Sequence, residues 1–295
     1  MTDINGRTAV VTGGGSGIGC ALAMALAKAG AAVAVADIMP DKAEAVAADI
    51  RAAGGQAMAV QCDVCDRASL QRMKEAVTAQ FGSVQLVFAN AGATSFMELT
   101  SMSDDDVDWI FQVNLMGTLN TIRTFLPEMQ RERGGHIVAT ASMAGLLPGW
   151  MPVHAPYSAA KAGIIGLVMN LSLELQAFDI GTTIYCPGGV ASGMKANNGK
   201  YRPEQFGGPL EDGSLQISSS AKHIDKLTYY HPDAVAPMVL NAVVNNRPFV
   251  FDHADQRHLF KETYSDIVEA CYDDIENWER EHGLPPANPT GVDLA

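Results

Sequence analysis

The chain has 295 residues and a formal net charge of −13. That length is enough for one large α/β core, and the acid excess excludes the basic footprint of a nucleic-acid-binding protein. Residues 1–6 carry neither a basic region nor an apolar run, so no secretion signal is expected and a soluble cytoplasmic location follows.

Taken in chain order, the first predicted element is a buried strand over 7–12, charge-free after Arg7. It runs into Gly13-Gly14-Gly15-Ser16-Gly17-Ile18-Gly19, which opens a helix over 17–29 that Gly30 closes. A short apolar strand, a glycine turn and a helix are the context of a dinucleotide fingerprint. Gly13 allows the sharp turn. Gly17 lets backbone N–H groups approach a pyrophosphate at the positive helix end, and Gly19 lets helix and strand pack closely.

The second strand, 32–36, ends at Asp37, twenty residues after Gly17. That is near the spacing of the acidic residue that grips adenosine ribose hydroxyls, although Asp also caps many strand ends. A carboxylate there repels a 2′-phosphate, and no Arg or Lys stands at 14–16 or 38 to offset it. NAD is therefore expected over NADP.

Further strands are predicted at 57–61, 84–89, 135–140, 181–186 and 248–252, and helices at 41–53, 67–80, 104–130, 155–178, 233–246 and 255–281. This alternation predicts an α/β fold, a doubly wound parallel sheet of about seven strands with helices on both faces. The whole chain, 1–295, is expected to form a single domain. Asp104-Asp105-Asp106 suits a helix start, where negative charge is favourable. Residues 17–36 are apolar enough to suggest a membrane span, but Lys28 and Gly30 interrupt them.

Tyr157 and Lys161 stand four apart on the 155–178 helix, which puts phenol and ammonium on one face. A cation beside a phenol favours the phenolate. Alone, the pair also fits a solvated helix face.

Cys62 and Cys65 form a Cys-x-x-Cys around Asp63-Val64, but no second pair completes a zinc site. Five cysteines in all suit a reducing compartment. His223, His231, His253 and His258 lack tight ligand spacing, so no metal is expected. From 193 to about 230 the strand–helix rhythm fails, which predicts a substrate-covering loop. After it, Phe260, Tyr264, Ile267, Val268, Cys271, Ile275 and Trp278 recur at helical spacing, giving an amphipathic tail helix over about 253–282.

Thr12-Gly13 with Gly17 and Gly19, Asp63-Val64, Asn90-Ala91-Gly92, Asn114, Ser142, Tyr157 with Lys161 and Pro187-Gly188-Gly189-Val190 occur in this order. Together they resemble the short-chain dehydrogenase/reductase family. The resemblance implies a catalytic set of Asn114, Ser142, Tyr157 and Lys161. Tyr157 would exchange the alcohol proton, Lys161 would lower its pKa and bind the nicotinamide ribose, Ser142 would bind the substrate oxygen, and Asn114 would hold a water. Taken singly, Asn114 also reads as a helix-kinking residue and Ser142 as a strand-end cap.

The resemblance also implies cofactor contacts from Ser16, Ile18, Asp63, Val64, Asn90, Gly92, Pro187, Gly188, Val190 and Ser192. Two positions depart from the usual pattern, Ser192 where Thr is common and Ala89 before Asn90. The substrate wall is expected from Thr94, Phe96, Met143, Leu147, Trp150, Met151, His154, Met194, Tyr201, Phe206 and Leu210. That apolar and aromatic set favours a hydrophobic or aromatic alcohol or ketone. The C-terminal part resembles aryl-alcohol Cα-dehydrogenases, and the family resemblance implies a homo-oligomer, tetramer or dimer. A catalytically silent NAD-binding regulator or scaffold is the alternative, and the intact four-residue set argues against it.

Overall fold

The computed structural model describes residues 2–194, 199–209 and 228–283. The chain divides into two compact units, Met1–Ala254 and Asp255–Ala295.

Seven parallel strands build the sheet of the first unit: β1 (Thr8–Thr12), β2 (Ala32–Asp37), β3 (Gln56–Gln61), β4 (Leu86–Ala89), β5 (Gly135–Thr140), β6 (Ile180–Cys186) and β7 (Phe249–Phe251). Their order is β3-β2-β1-β4-β5-β6-β7, and the reversal of direction lies between β1 and β4. Ligands of open α/β sheets sit outside the carboxyl ends of the strands at such a point.

The strands read as apolar runs because both faces of the sheet are covered. Side chains alternate between faces. Val11, Val33, Val35 and Phe88 enter one core with α1 (Gly17–Lys28), α2 (Pro40–Ala52) and α8 (Pro232–Val244). Val10, Ala34, Val87 and Ile137 enter the other with α3 (Arg67–Phe81), α5 (Gly117–Glu132) and α7 (Ala155–Leu175). α7, extended by a 3-10 turn, is also long and apolar enough to cross a bilayer by length and composition. Its Ile164, Ile165 and Val168 are buried in the second core.

The single helix expected over 104–130 is interrupted. α4 (Asp104–Phe111) passes through a π-helical turn, Gln112–Met116, into α5. Such turns are frequent at functional sites. Ser103 and Asp106 form a reciprocal capping box at the start of α4. A short helix, α6 (Met143–Leu146), follows β5.

The second unit is helical. α9 (Gln256–Phe260) continues through a π-helical turn, Lys261–Ser265, into α10 (Asp266–His282).

Candidate active site

The β1–α1 turn is built for close approach. Gly13 and Gly17 have φ of 63° and 53°, in the left-handed region. A Cβ on Gly17 would lie 2.5 Å from the Ser192 carbonyl oxygen, and one on Gly19 would lie 2.1 Å from the Gly13 oxygen. Ser16 precedes α1 without making a side-chain cap, and no acidic residue stands in the first turn. The first N–H groups of α1 thus keep their capacity for an anion.

Gly13, Ser16, Gly17, Ile18 and Gly19 line one wall of a long cleft. Asp37, Asp63, Val64, Asn90 and Gly92 continue it across the strand ends, and Tyr157, Lys161, Pro187 and Ser192 close its other end. Asp37 is 9% exposed and accepts the Gly15 N–H at 2.9 Å and the Met39 N–H at 3.0 Å. Asn90 ties three strand ends together. It donates to the Thr12 carbonyl at 3.1 Å, accepts the Thr140 hydroxyl at 3.1 Å, and gives its own N–H to Thr12 Oγ1 at 3.0 Å.

Two neighbours of this cleft had no signal in their local pattern. Lys42 lines it beside Asp37, with Nζ 4.8 Å from the centre of the Tyr201 ring. Positions 14–16 and 38 carry no cation, and the fold adds one from farther along the chain: Lys42 is on the first turn of α2, at the same wall. Trp109 lines the cleft from α4. Trp109 also lies 5.5 Å from the guanidinium of Arg202, which pairs with Asp106 at 2.5 Å.

Tyr157 and Lys161 project from one face of α7 and are buried. Lys161 Nζ lies 5.6 Å from the Tyr157 ring centre and donates to the Thr140 carbonyl at 2.8 Å. Ser142, preceding α6, accepts the Ala144 N–H at 3.1 Å and hydrogen-bonds Tyr157. The capping role and the contact with Tyr157 therefore coexist.

Asn114 sits in the π-helical turn, fully buried. Its amide donates to the carbonyls of Ala93 at 2.9 Å and Ile110 at 2.8 Å, which leaves Oδ1 without a hydrogen-bond partner among the described residues. A Cβ on Gly92 would lie 2.7 Å from that oxygen and 3.4 Å from Lys161 Nζ, so both atoms border one small space.

Burial dominates the electrostatics. It pushes the Tyr157 phenol up to about 12, against a lowering by the Ser142 hydrogen bond. It brings the Lys161 ammonium down to about 7, with Cys186 acting in the opposite sense. The expected lowering of the phenol by Lys161 does not prevail, because the ammonium is itself desolvated. The thiols of Cys62 and Cys65 are also raised, both chiefly by burial, and Cys62 reaches about 12. Neither is thus poised as a thiolate. Among the described residues, no group of three or more His, Cys, Asp or Glu is clustered to hold a metal ion.

A second pocket of about 300 Å³ adjoins the cleft and shares Tyr157 with it. Thr94, Phe96, Met143, Trp150, Met151 and His154 line it, together with Ser142 and Met194. Gly188 and Val190 face this pocket. The His154 ring lies 4.3 Å from Phe96 and 4.5 Å from Tyr157, and burial lowers its pKa to about 4.

Three expected wall residues lie elsewhere. Tyr201 is at the Asp37 end of the long cleft, because the chain after Gly199 crosses toward α2. Phe206 packs against the cluster of Trp109, Ala93 and Tyr157, since Arg202 anchors its segment on α4. Leu147 is 2% exposed and does not line the pocket, and its N–H is bound to the Met143 carbonyl at 2.7 Å. Leu210 and His223 lie outside the described residues.

Residues 7–202 match the sequence profile of short chain dehydrogenases. The chain belongs to the short-chain dehydrogenase/reductase family. It is 30% identical over 274 residues to a C alpha-dehydrogenase of Sphingobium sp. strain SYK-6, covering 92% of this chain and 88% of that protein. It is 37% identical over 154 residues to a 3-oxoacyl-acyl-carrier-protein reductase of Staphylococcus epidermidis, covering 52% of this chain and 62% of that protein. Among solved structures, a short-chain dehydrogenase/reductase from Burkholderia phymatum in complex with NAD aligns over 99% of this chain and 100% of that one, with a TM-score of 0.82 and 29% identity. The chain is thus an oxidoreductase with the Rossmann-like fold of its family.

Proposed function

We propose that this protein is an NAD-dependent dehydrogenase that interconverts a secondary alcohol and a ketone, with a hydrophobic or aromatic substrate. The observation that carries this reading is Tyr157, whose buried side chain borders both the long cleft and the apolar pocket. A group bound in each would meet at its hydroxyl.

The open N-terminus of α1, the approach allowed by Gly17 and the Asp37 carboxylate fit a dinucleotide lying along the cleft. Asp37 favours NAD, since it would repel a 2′-phosphate, and the Burkholderia relative holds NAD. Bound nicotinamide would supply the hydride chemistry.

The residues of this chain supply the rest. Tyr157 takes the alcohol proton during oxidation and returns it during reduction. Burial raises the phenol, so it must first give its own proton toward Lys161 before it can accept one from an alcohol. Ser142 donates to the substrate oxygen and stabilises the charge that develops there. Lys161 would orient the ribose and pass a proton to a water held by Asn114 Oδ1 in the space beside Gly92, and from there to solvent. Phe96, Met143, Trp150 and Met151 exclude water and hold an apolar body. The likeness to a protein named C alpha-dehydrogenase supports dehydrogenation of an alcohol, and the aromatic lining of the pocket suits a bulky aryl one.

A homo-oligomer belongs to the same proposal. Met169 and Leu173 on the Tyr157 helix are 53% and 66% exposed, an apolar face suited to a second copy. The test is nicotinamide absorbance with a panel of aryl, steroid and aliphatic alcohols and ketones, run with NAD and with NADP. Turnover of bulky aryl substrates with NAD is the expected result. Absence of turnover across the panel, or a much larger kcat/KM with NADP, would overturn the reading.

A further inference from the structure

Asp252 follows β7 and its side chain is fully buried, yet among the described residues it has no lysine or arginine partner. Its Oδ2 accepts the Tyr185 hydroxyl at 2.7 Å. Its Oδ1 accepts the Gly188 N–H at 2.8 Å and lies 2.6 Å from His253 Nδ1. The other ring nitrogen, Nε2, lies 3.1 Å from the Thr228 carbonyl oxygen. A carbonyl only accepts, so Nε2 carries the hydrogen of that bond.

The two residues therefore reach two separate stretches of chain. Gly188 begins the arm 188–192, which walls the apolar pocket. Thr228 lies on the second stretch, where Tyr229 adds to the same wall. The arms are joined directly. The Tyr230 N–H donates to the Gly189 carbonyl at 2.9 Å, and the Ala191 N–H donates to the Tyr230 carbonyl at 2.9 Å. Gly189 is needed where they meet, because a Cβ there would lie 2.3 Å from the Thr228 oxygen. The Tyr230 ring stacks on His253 at 4.4 Å.

We propose that Asp252 and His253 are positioning residues for substrate, clasping both arms of the pocket wall to the end of β7. Neither borders the pocket or touches Tyr157, Ser142 or Lys161 in the structure, so their effect passes through the wall. Three contacts of 2.6–2.8 Å converge on the buried Asp252 carboxyl group, and that convergence gives the clasp its stiffness. The proposal rests on the dehydrogenase reading for its kinetic consequence, but its structural consequence is independent of turnover.

Three forms of the full chain test it: wild type, His253→Phe and Tyr185→Phe. His253→Phe keeps a ring to stack on Tyr230 and removes both polar contacts. Tyr185→Phe removes a bond from the same carboxylate on the side away from the arms. With the contacts to Asp252 and to the Thr228 carbonyl both lost, each about 1 kcal/mol, amide exchange at Ala191 and Tyr230 should quicken about tenfold or more in His253→Phe. KM for the alcohol should rise about fivefold or more, kcat should change less than threefold, and the Kd of ADP-ribose should hold within twofold. Tyr185→Phe should leave exchange at these amides and KM within twofold of wild type.

The proposal is overturned if His253→Phe leaves exchange and KM within twofold of wild type. It is also overturned if Tyr185→Phe matches His253→Phe, which marks a general loosening of the core. If wild type shows no turnover, the dehydrogenase reading fails, and the exchange rates still decide whether the clasp exists.

Discussion

Replacing Gly92 by alanine tests the link between Lys161 and Asn114 at a position where the backbone offers no resistance, since Gly92 has no left-handed φ. The new Cβ would stand 2.7 Å from Asn114 Oδ1 and 3.4 Å from Lys161 Nζ. The amide oxygen yields only if the bonds of Asn114 to Ala93 and Ile110, at 2.9 and 2.8 Å, lengthen. The methyl group therefore fills the space in which a water would bridge the two polar atoms. Denying a buried polar atom its partner costs about 1–3 kcal/mol, and about 1.4 kcal/mol is a factor of ten in rate. If that bridge carries the proton, kcat should fall about ten- to a hundredfold. Binding of NAD, followed by the fluorescence of Trp109 in the cleft wall, should stay within about threefold, because the methyl group points at Asn114 rather than at the α1 turn. A variant with kcat within threefold of wild type would refute the relay. A loss of NAD affinity as large as the loss of kcat would refute it equally.

Two further outcomes follow from charged and titratable groups. Asp37→Ala removes the repulsion of a 2′-phosphate while Lys42 remains in the same cleft, so the ratio of kcat/KM for NADP to that for NAD should rise at least tenfold. Thermal stability should drop as well, since the Gly15 and Met39 N–H groups lose their acceptor; an unchanged ratio would contradict the role given to Asp37. His136 and His154 are buried, and burial lowers both from the ordinary 6.5 to about 4. The unfolded chain takes up these protons below pH 6.5 and the folded chain resists, so the stability they give is whole above pH 6.5 and is lost as pH falls toward 4. Each amounts to about 3 kcal/mol when complete. Urea midpoints measured between pH 7 and 4.5 should fall accordingly, and His136→Asn should flatten the curve; a flat wild-type curve would exclude this cause.

The strands were the most legible part of the sequence, because buried parallel strands are unbroken apolar runs set off by polar turns. All seven were expected at the places where they form, with ends displaced by a residue or two. The glycine turn and the Tyr157–Lys161 spacing were legible for a similar reason, since each is a local pattern with one geometry. The π-helical turn at Asn114 was not, because a helix that gains one residue in a turn keeps the same composition. Lys42 gave no signal and Tyr201 was expected at the substrate wall, because their meeting depends on where a loop crosses the fold. Asp252 and His253 were opaque for the same reason: their partners at 185, 188 and 228 are distant in sequence and two of them are backbone atoms. The Tyr157 pKa shows the limit of reading charge from spacing, since a buried lysine is a weaker cation than a solvated one.

The central claim is that the Tyr157 hydroxyl exchanges the substrate proton where the two cavities meet. Tyr157→Phe removes that oxygen and leaves the buried ring in place. With an alcohol that wild type oxidises, this variant should bind NAD with nearly wild-type affinity and turn over at less than about a thousandth of the wild-type rate. Turnover within tenfold of wild type, with NAD still bound, would contradict the account.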